Sequence, residues 1–144
     1  MRILILSWIF LIVFGCATSA QERKDAAPGE LSPCPDSPNC VSTKNKDPDR
    51  AMPPLPYVGT CQESMERLLR ILRGMKRSTL VLTTATFLRA EFRSALFRFV
   101  DDVEFLFDDK ERQIHFRSAS RTGYYDFGVN RRRMNEISKN YRGE

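Results

Sequence analysis

The sequence predicts a small α+β domain of two layers. Two helices pack on one face of a four-stranded antiparallel sheet, in the order α-β-β-β-β-α, after a proline-rich arm. Three observations predict it. A capping box and an apolar stripe at helical spacing follow Thr60. Short runs that alternate apolar and charged residues, joined by tight turns, fill residues 80–117. A second helical stripe closes the chain after Val129.

Taken in order, residues 32–59 form the arm. Lys44, Lys46, Asp47, Pro48, Asp49 and Arg50 are followed by Met52-Pro53-Pro54-Leu55-Pro56. These prolines are incompatible with a helix interior or a central strand. An extended segment pegged to the domain by Met52, Leu55 and Tyr57 is the expectation; a proline-rich recognition peptide is the alternative. The first helix spans 61–73. Thr60 and Glu63 give the capping box, Met65, Leu68, Leu69 and Leu72 the buried stripe, and Gly74 the stop. Strands are expected over 80–85 and 87–94, with 97–100 continuing the second past a bend or bulge. Val103, Phe105 and Phe107 mark the third strand. Asp108-Asp109-Lys110 makes a hairpin turn into the fourth, which carries Ile114 and Phe116. Met134, Ile137 and Tyr141 place the last helix over 129–140. Arg131, Arg132 and Arg133 fall in its first turn, the end where the helix dipole disfavours cations. The opposite sheet face would show Arg89, Glu91, Arg93, Glu104, His115 and Arg117 to solvent unless the arm crosses it.

Of 144 residues, the first twenty read as a targeting segment, which leaves enough chain for one domain. A hydrophobic fraction of 42% supports a core, and 28% charged residues make an ordinary soluble surface. The formal charge of +5 suits an anionic lipid, a wall polyanion or a solvated basic face. Arg2 precedes an apolar run over residues 3–14 interrupted by Ser7, too short to span a bilayer and the right length for a secretory signal over 1–20. Val13-Phe14-Gly15-Cys16 resembles the bacterial lipobox, with Phe14 in place of its usual small residue. That favours cleavage before Cys16 and its acylation; Thr18-Ser19-Ala20 offers ordinary cleavage before Gln21. Residues 17–31 are polar and small, as in a flexible tether. A membrane partner through the lipid, with the domain in the cell envelope, follows. With two membranes present, Ala17 after Cys16 implies sorting to the outer one, facing the periplasm.

Export implies an oxidising compartment. Cys34 and Cys40, across a short turn-rich loop, are the best pair, and Cys61 is left over. A metal held by Cys34, Cys40 and His115 has the wrong spacing, so no metal and no cofactor are expected. A cysteine nucleophile with His115 as its base is disfavoured by export and by the neighbouring cysteine.

Three stretches, CPDSPNCVS from Cys34, AEFRSALFRFVDDVEF from Ala90 and RSASRTGYYDFGVNRRR from Arg117, resemble the bacterial family filed as domain of unknown function 1499. That resemblance implies small envelope-associated or lipoprotein-like proteins, without an established reaction. Matching its motifs are Glu91, Arg93, Ser94, Arg98, Asp101, Asp102, Glu104, Arg117, Ser118, Ser120, Arg121, Asp126, Asn130 and Arg131.

The expected ligand-binding set is Arg93, Arg117, Ser118, Ser120, Arg121, Asp126, Asn130 and Arg131. Within it Arg117, Arg121 and Arg131 could clamp an anion, Gly123 and Gly128 would allow close backbone approach, and Asp126 would orient an arginine or cap the last helix. The alternative is an arginine–carboxylate network that pins the last loop to the sheet. Three functions compete. A non-catalytic module that binds an anionic lipid, a wall fragment or a partner protein is preferred and predicts a shallow basic groove. An envelope enzyme using Glu91 or Asp102 with His115 predicts a carboxylate of raised pKa in a concave site. An assembly lipoprotein predicts an exposed apolar patch. Nucleic acid is not an expected partner of an exported chain.

Overall fold

Among the described residues, eight elements form: β1 (Cys40–Ser42), β2 (Leu55–Pro56), α1 (Cys61–Gly74), β3 (Ser78–Thr83), β4 (Phe87–Arg93), β5 (Val100–Asp108), β6 (Gln113–Ser120) and α2 (Val129–Arg142). This computed structural model describes residues 29–143. The signal segment, Cys16 and residues 17–28 of the tether lie outside the described residues.

The sheet is wholly antiparallel, in the order β1-β6-β5-β4-β3, with β2 also on β6. It has six strands, where four are predicted from the sequence. The two extra strands are one interrupted edge strand. Cys40 pairs Ala119 and Ser42 pairs Arg117, then Leu55 pairs Ile114 and Pro56 pairs Gln113, while residues 43–54 make an excursion. Three- and two-residue strands rich in proline lack the alternation that reveals a strand. Pro56 is tolerated because an edge strand can leave one side of its backbone unpaired.

Strand period two sorts the side chains. Leu88, Ala90, Val103, Phe105, Phe107, Ile114 and Phe116 share one face and are buried. Both helices cover that face. Met65, Leu68 and Leu72 of α1 and Met134, Ile137 and Tyr141 of α2 are buried at the predicted helical spacing. The capping box is present: Thr60 Oγ1 accepts from Glu63 N–H, and Thr60 N–H donates to the Glu63 carboxylate at 2.7 Å. The Thr60 N–H, and then the Thr60 hydroxyl donating to the same carboxylate at 3.0 Å, hold the Glu63 carboxyl below its usual range. Gly74 is the last helical residue instead of a left-handed cap. The chain leaves through Met75 in extended conformation (φ −81°, ψ 137°). Three residues link α1 to β3, and the left-handed conformation falls at the last of them, Arg77 (φ 59°).

Two other boundaries differ from the expectation. β3 starts at Ser78 and ends at Thr83, because Thr84 N–H donates to Phe87 C=O and begins the turn. Residues 94–99 do not extend β4. They form the β4–β5 turn, closed by Ser94 N–H on Phe99 C=O at 2.8 Å, and β5 begins at Val100.

The other sheet face is half covered. The arm lies across β5 and β6: Ser32 donates N–H and Oγ–H to Glu104 at 2.9 and 2.8 Å, and Thr43 Oγ1 meets His115 Nδ1 at 3.2 Å. On the helix-covered face, Met52 and Leu55 of the arm are buried as pegs in the core, and Tyr57 packs on Phe107. Cys34 and Cys40 form a disulfide with Cα atoms 5.7 Å apart, and Cys61 is free. Among the described residues no helix is long and apolar enough to cross a membrane.

Closing so short a loop should stabilise the fold by about 2 kcal/mol. The double variant Cys34→Ala/Cys40→Ala is expected to lower the unfolding free energy by that amount, read as a urea midpoint lower by on the order of 1 M. An unchanged midpoint would show that the arm is held by its hydrogen bonds alone.

Candidate functional site

One end of the sheet gathers most of the residues singled out from the sequence. The turn 94–99 and the β6–α2 loop 121–128 leave it side by side: Asp101 pairs Ser120, and Arg121 N–H donates to Val100 C=O at 2.9 Å. Arg121 then turns its side chain back over the sheet. Its guanidinium grips Asp102 in bidentate fashion (Nε–Oδ2 2.8 Å, Nη2–Oδ1 2.6 Å) and also reaches Glu91 Oε1. Arg93 holds the other Glu91 oxygen at 3.0 Å. The two carboxylates keep the Arg121 guanidinium firmly charged, raising its pKa.

On the helix side a second polar group forms around Asn130, which is 1% exposed. Its Nδ2 donates to Asn39 C=O, Ser120 Oγ and Asp126 Oδ2 at 3.0, 3.1 and 2.9 Å. Its Oδ1 accepts from Ser118 Oγ at 2.6 Å and from Arg133 Nη1 at 2.7 Å. Arg133 also pairs with Asp101 and stacks 4.7 Å from the Phe92 ring. Asp126 accepts from Gly128 N–H and Asn130 N–H, so a carboxylate satisfies the start of α2 and offsets its three arginines. Arg131 donates to the Asp49 and Ala51 carbonyls, and Arg132 to the Phe127 carbonyl. Arg117 lies 3.9 Å from Glu104.

Each expected ligand-binding residue therefore has an internal role. Arg93, Arg117 and Arg121 face carboxylates, Arg131 faces backbone carbonyls, and Ser118, Ser120, Asp126 and Asn130 share one network. The cleft beside Arg131, about 400 Å³, is lined by Asp36, Asp47, Asp49 and Asp126 against Arg50 and Arg131. It is acidic, where a basic groove is expected from the sequence.

The acid–base candidates are not brought together. Glu91 and Asp102 share the Arg121 bridge, whereas His115 pairs Leu106, four residues along β6 from the Asp102 partner Ala119. His115 is buried, with Nδ1 at Thr43 and Nε2 3.1 Å from Glu111. Cys34 and Cys40 are oxidised and offer no thiolate for a metal or for a nucleophile. His115 instead groups with Asp108 and Glu111, their ligand-type atoms within 4.8 Å of one another. Asp108 already accepts from two turn amides, Lys110 and Glu111, and the second of these lowers its pKa most.

What sequence reasoning misses is apolar. Leu96, Phe97, Phe99, Tyr124, Tyr125 and Phe127, all on the two loops, are 55–80% exposed. Phe97 and Phe99 stack at 5.6 Å, and Tyr125 and Phe127 meet edge-on at 5.2 Å. Arg98 and Phe127 both adopt φ 54°, a left-handed conformation that costs a non-glycine residue about 1 kcal/mol. The signal was available. Four residues of Leu-Phe-Arg-Phe sit between two complete strands, and Tyr-Tyr-Asp-Phe is bounded by Gly123 and Gly128.

A family model described as "Protein of unknown function (DUF1499)" matches residues 30–140. No curated protein and no solved structure matches the chain.

Arg121→Ala leaves Glu91 and Asp102 facing each other without their shared cation. Because the site is only partly buried, the expected loss is about 2 kcal/mol, below the range for a fully buried pair. Urea unfolding of Arg121→Ala and of Arg121→Ala/Glu91→Gln checks this, the second variant recovering part of the loss.

Proposed function

The chain belongs to the DUF1499 family, and on that premise we propose that it is a non-catalytic contact module of the cell envelope, lipid-anchored at Cys16, which works through the exposed loop end of its sheet. The observation that carries the proposal is the set of six large apolar side chains displayed on two adjacent, internally braced loops. Monomeric soluble domains rarely gather so many large exposed apolar side chains at one end without an interaction for them. The arginine–carboxylate and Asn130 networks fix the bases of both loops, so the patch is preorganised.

The same geometry weighs against an envelope enzyme. Its best general base, His115, is occupied on both ring nitrogens and separated from Glu91 and Asp102. An anion clamp from Arg117, Arg121 and Arg131 would have to break their internal bonds. The apolar patch also favours a second reading, a purely structural assembly lipoprotein, in which the loop end holds another envelope protein. Export, the anchor and the envelope address rest on the sequence pattern of residues 1–20.

Intact-mass analysis of the mature chain from membranes is expected to show acyl chains on Cys16; a plain chain starting at Gln21 would remove the anchor. For the surface, a photoreactive residue replacing Phe97 or Tyr124 in intact cells should give lipid or protein adducts. One replacing Lys110, at the opposite end of β5, should give none. Equal labelling at both ends would overturn the loop-end assignment.

A further inference from the structure

We propose that the loop end docks on an anionic lipid bilayer surface, with Leu96, Phe97, Phe99, Tyr124, Tyr125 and Phe127 entering the headgroup layer. The inference rests on the contact-module reading and names its partner.

The first argument is charge. Four carboxylates at this end are consumed internally: Glu91 and Asp102 by Arg121, Asp101 by Arg133, and Asp126 by the first amides of α2. Arg77, Arg98 and Arg132 flank the loops and make no ion pair among the described residues. Arg77 Nε donates to Arg93 C=O, which places it beside the end of β4, and Arg132 donates to Phe127 C=O at the base of the second loop. Asp36 and Asp49 line the cleft on the arm side of Tyr124 and Tyr125, so the half carrying Phe97, Phe99 and Phe127 is the basic one. Uncompensated arginines beside exposed aromatic rings complement an anionic interface. Aromatic residues favour the headgroup level, and basic residues near the surface are drawn to anionic lipid.

The second argument is shape. Phe97 and Phe99 stack within one loop tip and Tyr125 meets Phe127 within the other, and of the six side chains Tyr124 and Tyr125 alone also line the acidic cleft. A protein partner would need a matching concavity, whereas a fluid headgroup layer accepts separate tips. The third is reach. Twelve residues, 17–28, separate Cys16 from the first described residue, and extended chain covers at most about 3.6 Å per residue, roughly 43 Å in all. The nine residues of β5 span about 30 Å. A chain held at Cys16 can therefore bring its loop end to the same bilayer.

The test uses the full chain in nanodiscs of either pure phosphatidylcholine or phosphatidylcholine with phosphatidylglycerol, read by amide hydrogen exchange. Amides of 94–99 and 122–128 should exchange roughly tenfold more slowly in the anionic discs, while those of 108–112 do not differ. Phe97→Ser/Phe127→Ser should abolish the difference, and Arg98→Gln should reduce it. Both variants alter exposed side chains, and unchanged protection of β5 shows that they fold. Equal loop exchange in the two lipids overturns the proposal, as does protection that depends on protein concentration, the mark of a second copy. Adducts to a protein alone at position 97 in cells, with no lipid-dependent protection, would remove the bilayer and leave the contact module standing.

Discussion

A buried carboxamide sets the terms for this domain. Asn130 is surrounded by four segments: the arm through Asn39, β6 through Ser118 and Ser120, the last loop through Asp126, and its own helix through Arg133. Its amide offers two protons to three acceptors and one oxygen to two donors, so most of these neighbours must be in place together. An unsatisfied buried amide costs enough that partial assembly gains little. The position of α2, the path of the arm and the bend of the loop thus follow from one side chain.

That constraint explains why so many charged residues sit together without forming an open site. Arg121 and Arg133 fasten the two ends of the same structural problem, one on each sheet face, and each takes up the carboxylates nearest to it. Asp126 takes the place of a side-chain cap, because Gly128, at the N-cap of α2, has none to offer. With the polar groups turned inward, the parts of the two loops left facing outward are apolar or basic. Rigid bases and exposed tips are two results of the same arrangement.

The periodic parts of the fold were legible in the sequence. Leu68, Leu72, Phe105 and Ile137 are buried where their spacing puts them, and the Thr60–Glu63 box and the Cys34–Cys40 pair form. Legibility ends where structure stops being periodic. Cys40–Ser42 and Leu55–Pro56 are too short to show alternation, so two edge strands read as plain arm. Residues 97–100 imitate a continuation of β4 because Phe97 and Phe99 alternate with Arg98, yet closure by Ser94 and Phe99 makes 97–99 part of a turn and leaves Val100 to open β5. At the candidate site the arginine–carboxylate network, weighed in the sequence against an anion clamp, is the arrangement that forms, though its pairing was not legible. A sequence displays a dense set of arginines, but not that the carboxylates meant to balance them lie on the adjacent strands in register. The exposed rings went unseen for the opposite reason: an aromatic residue in sequence reads first as core.

The arm has one more consequence, for the order of events in folding. The central meander joins neighbours in the chain, while Ser32 waits for Glu104, 72 residues later, and Asn39 contributes its carbonyl to Asn130, 91 residues later. Contacts so distant along the chain carry the largest loop-closure entropy and are slow to form. In any N-to-C emergence, from a ribosome or through a translocation pore, the first part of the domain to appear is the last that can be satisfied. Until β5, β6 and α2 follow, the arm is a strand without an edge to join, and the Cys34–Cys40 loop and the local turn from Asp47 to Ala51 are the pieces of it that can close on their own.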